Sequence, residues 1–384
     1  MARVRGGLRT RILLLVLAIV SLAGLFTTRV ERKMPDFDVY RTAGARVIAR
    51  QPLYRESDGH YQFKYLPVFA ILVSPTALVP ERDAKALWFA WSAFLMPVLL
   101  GLSLAALPVI RRPPALLLAL TFVAMAKFYA HEMVLGQVNL LFATLATLAL
   151  VWLRRGREGA AGLVFALTVA VKPYAIIFLP WLATRRRHAA LAVMAGGGLG
   201  LLLVPAAWYG WHANSQLLAA WWHTVRSTTE PNVLNSDNVS LAALFARWTG
   251  SESLAGPLSA LAGAVLLLVC AVVMLARRAL PADAHPETLE GSLLLLIVPL
   301  LSPQGWDYVL LVGTPAVMLL IDNWSLLPRG LRFGSAAALA VVAFSIYDLM
   351  GRDAYAAFMH LSVITVCVLI EFAALATLRF QKAA

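Results

Sequence analysis

A few charged side chains stand out against a strongly apolar chain. Asp36 and Asp38 open a segment with helical periodicity, and Lys172 interrupts an apolar run just before a proline. A carboxylate held at a membrane surface can accept a proton from a hydroxyl group, and an intramembrane lysine can pair with a phosphate. The alternatives are that the aspartates only stabilise a helix N-terminus and that the lysine only extends its charge to the interface.

Amide, imidazole and carboxylate groups recur at other breaks between apolar runs. Gln137 and Asn139 follow Gly136, with His131 shortly before them, while Asn238 and Asp307 lie near later breaks. Such side chains can bind sugar hydroxyls, which need paired donors and acceptors. They can equally bond neighbouring helices or cap helix ends, with Asp237 and Asn238 as the candidate caps of a helix from Val239. Both interpretations stay open from the sequence alone.

The composition places these residues in a membrane protein. Of 384 residues, 60% are hydrophobic and only 14% are charged, whereas soluble domains carry about 25% charged residues. The net charge of +13 is spread over short clusters between apolar runs, which argues against a nucleic-acid-binding surface. The two cysteines, Cys270 and Cys367, lie inside apolar runs. Without a Cys/His cluster, neither a metal site nor a disulfide framework is predicted.

The apolar runs predict an all-α bundle of about 12 membrane spans (range 10–13), forming a single domain over residues 1–384. Residues 66–80 are apolar but contain three prolines, which favours a re-entrant or interfacial segment. The first span could instead be a signal peptide with a weak cleavage site at residues 21–23. The predicted spans are 11–27, 83–109, 113–128, 137–154, 158–171, 173–184, 188–207, 254–276, 289–301, 306–322, 333–350 and 357–378.

Basic clusters between the spans predict the orientation, because cytoplasmic loops are enriched in Lys and Arg. Both termini are then cytoplasmic, in a plasma (inner) membrane whose bacterial character is suggested by the richness in Ala, Leu and Arg. The outer side carries the loops 28–65, with an amphipathic helix, and 208–253; loop 28–65 is basic and so departs from the rule. The cytoplasmic clusters are Arg3, Arg5, Arg9 and Arg11, Arg111-Arg112, Arg154-Arg155 with Arg157, Arg185 to Arg187, Arg277-Arg278, Arg329 with Arg332, and Arg379 with Lys382.

Several short motifs occur in a fixed order on this outer side. They are Asp36 to Tyr40, Pro52 to Tyr54, Tyr65 to Pro67, Gly136 to Asn139, Lys172-Pro173, Asn238 to Leu241, and Ser302-Pro303 with Trp306. In this order the chain resembles the polyprenol-phosphate-dependent glycosyltransferases of GT-C type, and in particular glycosyltransferase family 87, a group of α-mannosyltransferases. The resemblance extends over about residues 10–380.

The resemblance implies a sugar transfer, with mannose as the expected sugar, from a polyprenyl-phosphate donor to a lipid or glycan acceptor. It implies inversion in one displacement, with Asp36 as the general base and Asp38 in reserve. Family members often carry a histidine shortly after the Ser-Pro-x-x-Trp turn, where this chain has Asp307 and Tyr308. The implied donor-site residues are Lys172, Arg247, Lys64, Gln137, Asn139, Asn238, His131, Asp307 and Tyr40.

Two other functions compete with this one. A transporter or flippase of lipid-linked sugars would place polar groups near the membrane midplane, often in repeated broken helices, whereas no internal repeat is visible here. A non-catalytic scaffold would tolerate replacement of Asp36 and Lys172. The enzyme interpretation requires no cofactor, no metal ion and no nucleic acid.

Overall fold

The computed structural model describes Leu13, residues 16–276 and residues 285–381, and these residues are all helix, turn and loop with no β-strand. Among the basic clusters, Arg3, Arg5, Arg9, Arg11, Arg277-Arg278 and Lys382 lie outside the described residues. The N-terminal half contains α1 Val16–Val30, α2 Pro35–Ile48, α3 Pro67–Val73, α4 Glu81–Ala106, α5 Pro114–Leu135, α6 Asn139–Arg154, α7 Glu158–Val171, α8 Phe178–Thr184 and α9 His188–Tyr209. The remainder contains α10 Trp211–Ser227, α11 Leu241–Thr249, α12 Glu252–Leu275, α13 Pro286–Leu301, α14 Thr314–Asp322, α15 Arg329–Phe344, α16 Tyr347–Met350, α17 Arg352–His360 and α18 Val363–Leu378.

Proline and glycine set many of the helix ends. Proline occupies the first turn of α2, α3, α5, α13 and α14, where its fixed φ suits the helix and its missing N–H costs nothing. Gly136 ends α5 at φ 69°, a left-handed conformation that a side chain would strain. A Cβ there would also lie 2.7 Å from the Phe37 Cβ, so Gly136 allows α2 to pack closely against the end of α5.

Within the described residues, four helices are long and apolar enough to cross a membrane, namely α4, α5, α9 and α12, or five spans if α17 and α18 count as one broken span. The prediction of about 12 spans is therefore not confirmed, although the all-helical class is. Helices α6 and α7, with 16 and 14 residues, extend over about 24 and 21 Å, less than the ~30 Å hydrocarbon core. Short helices of this kind span only if the bilayer thins or the segment continues in another conformation.

Four of the predicted spans are interrupted, and one of them, 333–350, breaks at residues 345–346 between α15 and α16. Residues 173–184 begin with the 3₁₀ turn Pro173–Ile177 before α8, and residues 306–322 begin with the 3₁₀ turn Asp307–Gly313 before α14. The last predicted span bends by 53° between α17 and α18. Loop 28–65 contains α2, which is helical as expected, and region 208–253 contains the helices α10 and α11.

The described arginines of three clusters lie at one end of the bundle, called here the arginine end; they are Arg111-Arg112, Arg154 and Arg185 to Arg187. Asp322 accepts hydrogen bonds from the backbone N–H groups of Arg111 (2.9 Å) and Arg112 (3.0 Å), at the start of α5. Arg185 pairs with the buried Glu290, and Arg187 with Glu158 and Glu287. Since α5, α6 and α7 each run between an arginine cluster and one of the motif residues at Gly136 to Asn139 or Lys172, those motifs lie at the opposite end.

At that opposite end, two distant segments are joined by main-chain hydrogen bonds. The N–H of Val239 donates to the Gly305 carbonyl at 2.7 Å, and the N–H of Asp307 donates to the Asp237 carbonyl at 2.9 Å. This forms an isolated antiparallel bridge between Asn238 and Trp306. Ser240, rather than Asp237 or Asn238, then caps α11 by accepting from the Ala243 N–H at 3.1 Å.

We expect Gly305→Ala to destabilise the protein by more than about 2 kcal/mol. An alanine Cβ at this position would lie 1.9 Å from the Pro299 carbonyl oxygen, and that oxygen belongs to backbone, so the turn itself must shift. The measurement is thermal unfolding in detergent, with Gly330→Ala as the control because nothing lies within 4 Å of a Cβ there. An unfolding temperature for Gly305→Ala equal to that of the control would contradict the expectation.

Candidate active site

A cavity of about 470 Å³ opens at the end of the bundle opposite the arginine end. Its walls come from the start of α2, the segment leading to α3, the junctions α5–α6 and α7–α8, helix α10, and the turn after α13. Among its lining residues are many of those predicted from the sequence. They include Asp36, Tyr40, Lys64, His131, Gln137 and Lys172.

Asp36 is placed by the unusual backbone at the start of α2. Met34 precedes the helix at φ 65° and ψ 47°, a left-handed conformation that costs energy for a residue with a side chain. Its N–H donates to the Val134 carbonyl of α5 at 3.0 Å, and its side chain is fully buried. Pro35 then fixes the first turn. The aspartate is therefore held on a rigid wall of the cavity.

The environment of Asp36 favours a carboxyl group that can exchange a proton. Burial raises the pKa of Asp36 above its ordinary value, while the Gln137 amide and then the charges of Lys172, Lys64 and His131 act in the opposite direction. Desolvation disfavours the charged form, whereas nearby cations and donors favour it. Burial and the surrounding cations therefore act on this carboxyl group in opposite directions, and burial has the larger effect.

Gln137 connects the elements around Asp36. Its Oε1 accepts from the hydroxyl groups of Tyr40 at 2.9 Å and Tyr65 at 3.1 Å, and these hydroxyls lie 2.7 Å apart. Its Nε2 donates to the Tyr308 hydroxyl at 3.4 Å. Since these partners come from α2, from the segment before α3 and from the turn after α13, one amide fixes three walls of the cavity relative to one another.

The buried ammonium group of Lys172 lies beside the cavity. Helix α7 ends at Val171 because Pro173 disfavours helical geometry at the preceding residue, and Lys172 is extended at φ −146° and ψ 120°. Its side chain is 8% exposed, and its Nζ lies 5.6 Å from the ring centroids of both Tyr65 and Tyr174. No carboxylate in the described part of the chain lies within 4 Å of this nitrogen, which leaves it available to an anionic ligand.

Glu132 is a fully buried residue whose carboxylate attracts the ammonium group of Lys172 electrostatically. Its carboxylate accepts from the Asn139 Nδ2 at 2.7 Å and from the Leu140 N–H at 3.0 Å. The Tyr174 hydroxyl lies 3.4 Å from the Asn139 Oδ1. Asn139 thus supports Glu132 and the start of α6, and it does not line the cavity.

A second polar cluster adjoins the cavity beside His131. The His131 Nδ1 lies 3.1 Å from the Asp307 Oδ1, and the Lys127 Nζ lies 3.9 Å from its Oδ2. Asp307 is buried, and its carboxylate forms an ion pair with the imidazole when His131 is protonated. Asp237 lines the cavity nearby, and burial, with the adjacent Asp307, raises the pKa of the Asp237 carboxyl group.

Lys64 is the other cation that lines the cavity. Its Nζ donates to the Gln304 Oε1 at 3.2 Å, and the Gln304 Nε2 donates to the Thr229 Oγ1 at 3.1 Å. The Trp221 indole donates to the Lys64 carbonyl at 3.1 Å. Burial lowers the pKa of Lys64, and Asp36 counteracts this. The chain of contacts ties α10 to the turn after α13 across the cavity mouth.

Besides Asn139 and Asp307, three residues proposed from the sequence lie outside this cavity. The Lys85 Nζ donates to Asp38 at 3.0 Å, on the far side of α2. Arg247 donates to the backbone carbonyls of Met359 (3.0 Å), Asn235 (2.6 Å) and Ser236 (3.2 Å) and to the Ser362 hydroxyl (3.2 Å). Asn238 is fully buried and donates to the carbonyls of Asn232, Val233 and Pro303. Their roles in the reaction remain predictions; in this geometry Arg247 and Asn238 hold loops in place, and Asp38 joins α2 to α4.

Sequence reasoning assigned no role to several residues that the structure brings to the site. Glu132 could have been singled out from the sequence, since it is a charged residue near the end of an apolar segment. No sequence pattern identifies Gln304, Thr229 and Trp221, because their positions depend on how α10 and the turn after α13 pack together. Among the described residues, no group of three or more His, Cys, Asp or Glu side chains could hold a metal ion.

We expect Glu132→Gln and Lys172→Met to be energetically coupled. Each single change leaves one buried charge without its counterpart, so the double variant should lose less stability than the sum of the two, by about 0.5–3 kcal/mol. The measurement is the free energy of unfolding in a double-mutant cycle. The exposed Glu56 provides the control, since Glu56→Gln should be additive with Lys172→Met. Additivity in both cycles would contradict the coupling.

Comparison with protein families supplies the class of enzyme. The model of glycosyltransferase family 87 matches residues 63–303, which is more than half of the chain. The matched region includes Lys64, Gln137, Lys172 and the turn that begins at Ser302, and it begins after Asp36. Comparisons with curated proteins and with solved structures gave no match. The chain therefore belongs to glycosyltransferase family 87 and is a membrane glycosyltransferase.

Proposed function

We propose that this enzyme transfers a sugar, with mannose as the expected one, from a polyprenyl-phosphate donor to a hydroxyl group of a lipid or glycan acceptor. The observation that supports this most directly is the cavity itself, which places the Asp36 carboxylate among Lys172, Lys64 and Gln137. A base for the acceptor and cations for a phosphate are the two requirements of the reaction.

The phosphate of the donor is the leaving group, so negative charge grows on its oxygens as the bond to the sugar breaks. Lys172 is buried without a carboxylate within 4 Å among the described residues, and it would meet that charge in a region of low dielectric. Lys64 lines the same cavity from another wall. In this proposal both cations bind the phosphate, and the Gln137 amide bonds a sugar or phosphate oxygen.

The proposed chemistry is a single displacement. Asp36 removes the proton from the acceptor hydroxyl as its oxygen attacks the anomeric carbon, the bond from that carbon to the phosphate oxygen breaks, and the polyprenyl phosphate leaves as an anion. Attack from the side opposite the leaving group inverts the anomeric configuration. Asp237 is a second carboxylate in the cavity; it lies beside the His131–Asp307 pair, and Asp36 faces the lysines.

The proposed setting is the outer face of a plasma membrane, with both chain termini in the cytoplasm. Its support is the separation between the arginine end and the cavity end of the bundle. Helices that reach the cavity at one end have an arginine at or beyond the other end; these arginines are Arg111, Arg154 and Arg185. The enrichment of cytoplasmic loops in arginine predicts such a separation. The prenyl chain would then lie among the exposed apolar helix faces near the cavity.

We expect Asp36→Asn to reduce sugar transfer by about 10²–10⁴-fold, because the amide cannot accept the hydroxyl proton. The assay uses purified protein in nanodiscs with radiolabelled polyprenyl-phosphate mannose and a pool of lipid and glycan acceptors. Asp83→Asn is the matched control, since Asp83 is exposed in the first turn of α4 and its removal should leave transfer unchanged.

Other outcomes of this assay reassign the base or the function. Full activity in Asp36→Asn with loss in Asp38→Asn or Asp237→Asn would move the base to that residue. Donor binding without transfer by the wild-type protein, together with movement of labelled donor between leaflets, would replace the transferase proposal by a flippase.

We also expect a pH profile with an acid limb at a higher pH than an ordinary aspartate gives. Burial raises the pKa of Asp36, and the base must be ionised to work, so kcat/KM should fall tenfold per pH unit below that pKa. On the basic side, burial lowers the pKa of Lys64, so activity should fall again as this lysine loses its proton. An acid limb in the range of exposed aspartates would contradict the first expectation.

A further inference from the structure

We propose that a second cavity, on the opposite side of α2 from the first, binds a sugar ring of the acceptor. The inference rests on the proposed function, since it names the acceptor class as a polyhydroxylated glycan or glycolipid headgroup. The second cavity has a volume of about 430 Å³ and is lined by Pro35, Asp38, Val39, Thr42, Arg46, Asp58, Tyr61 and Phe63.

The two cavities adjoin each other along α2. Both are lined by Pro35, Val39 and Tyr61. Successive helix residues turn by about 100°, so Asp36 and Asp38 project to nearly opposite sides of α2. Asp36 accordingly lines the first cavity and Asp38 the second. Because Pro35 and Tyr61 line both cavities, an acceptor in the second cavity lies beside the cavity that contains Asp36.

The polar lining of the second cavity suits hydroxyl groups. Arg46 and Asp58 form a two-pronged pair, with Nη1–Oδ2 at 2.6 Å and Nη2–Oδ1 at 2.7 Å. This fixes charged donors and acceptors in place without a ligand. The Lys85 Nζ donates to the Oδ2 of Asp38, which leaves Oδ1 as an acceptor. Thr42 adds an exposed hydroxyl group. Such a lining disfavours a prenyl chain, because an alkyl group would exclude water from these charged pairs and offer no hydrogen bonds in return.

An exposed aromatic ring lies where the two cavities meet. Tyr61 is 56% exposed, although burial of an aromatic side chain is normally favourable. The C–H face of a pyranose ring packs against such a ring while its hydroxyl groups remain free for the polar side chains. Phe63 is buried and gives the cavity a firm apolar floor. Aromatic and bidentate polar groups together indicate a sugar ring in preference to an alkyl chain or a lone phosphate.

The first test is protection of an engineered cysteine from a soluble maleimide in nanodiscs. Thr42→Cys places a thiol in the second cavity, and the native Cys270 and Cys367 are buried, so their labelling gives the background. Octyl α-D-mannopyranoside and octyl β-D-glucopyranoside serve as probes, with 1-octanol as the probe that lacks a sugar. We expect at least one glycoside to slow labelling of Thr42→Cys several-fold and octanol to leave it unchanged.

The exposed Thr249 supplies the matched control. Thr249→Cys lies on α11, outside both cavities, and its labelling should not respond to any probe. Equal slowing by octanol, equal slowing at Thr249→Cys, or no slowing at Thr42→Cys by either glycoside would overturn the proposal. This readout does not require catalysis, so it can fail or succeed independently of the transferase proposal.

The second test separates acceptor from donor binding. Thr42→Trp fills the second cavity, so it should raise the KM for the acceptor glycoside at least tenfold and leave the KM for polyprenyl-phosphate mannose unchanged. Thr249→Trp should change neither. A rise in the donor KM alone would assign the second cavity to the donor and overturn the proposal. Folding of each variant is checked by its unfolding temperature.

Discussion

Burial of the Lys172 ammonium group is the constraint on which the arrangement at this end of the bundle depends. A positive charge in an apolar interior is costly unless opposite charges and dipoles surround it. Glu132 and Asp36 provide negative charge, and the rings of Tyr65 and Tyr174 provide their negative faces. Glu132 is itself fully buried and needs Asn139 and the start of α6. Each residue that compensates a buried charge therefore also fixes the position of a further helix or loop.

The same constraint explains why the breaks in the helices matter. Lys172 reaches the cavity because Pro173 ends α7, and Gln137 reaches it because Gly136 ends α5. Polar backbone at a helix end can be tolerated in a membrane protein where it lines a cavity or is bonded to protein. The ends of α5 and α7 are therefore the places where the backbone leaves regular helix and polar side chains reach the cavity.

The sequence predicted the regular parts of this fold well. The apolar segment 158–171 coincides with helix α7, although α7 is not among the helices long enough to span, and the amphipathic segment after Asp36 is helical as α2. The number of spans was not predictable in the same way, because hydropathy does not distinguish a short helix such as α6 from one that crosses the bilayer.

Individual side chains were harder to predict. Arg247, Asn238 and Asp38 have residue types that suit a binding site, yet they bond carbonyl groups or Lys85. The direction in which such a side chain points depends on helix rotation and on partners far away in the sequence, which local patterns do not contain.

The bridge between Asp237–Val239 and Gly305–Asp307 also governs when this site can exist during synthesis. A chain made from its N-terminus presents α2 and Asp36 to the membrane long before residue 305 has left the ribosome. The wall that carries Gln304 and Tyr308, with the hydrogen bonds from Lys64 and Gln137 to it, forms only afterwards. Membrane insertion is therefore completed for most of the chain before the cavity closes, and a product truncated before residue 305 retains Asp36 without the wall that encloses it.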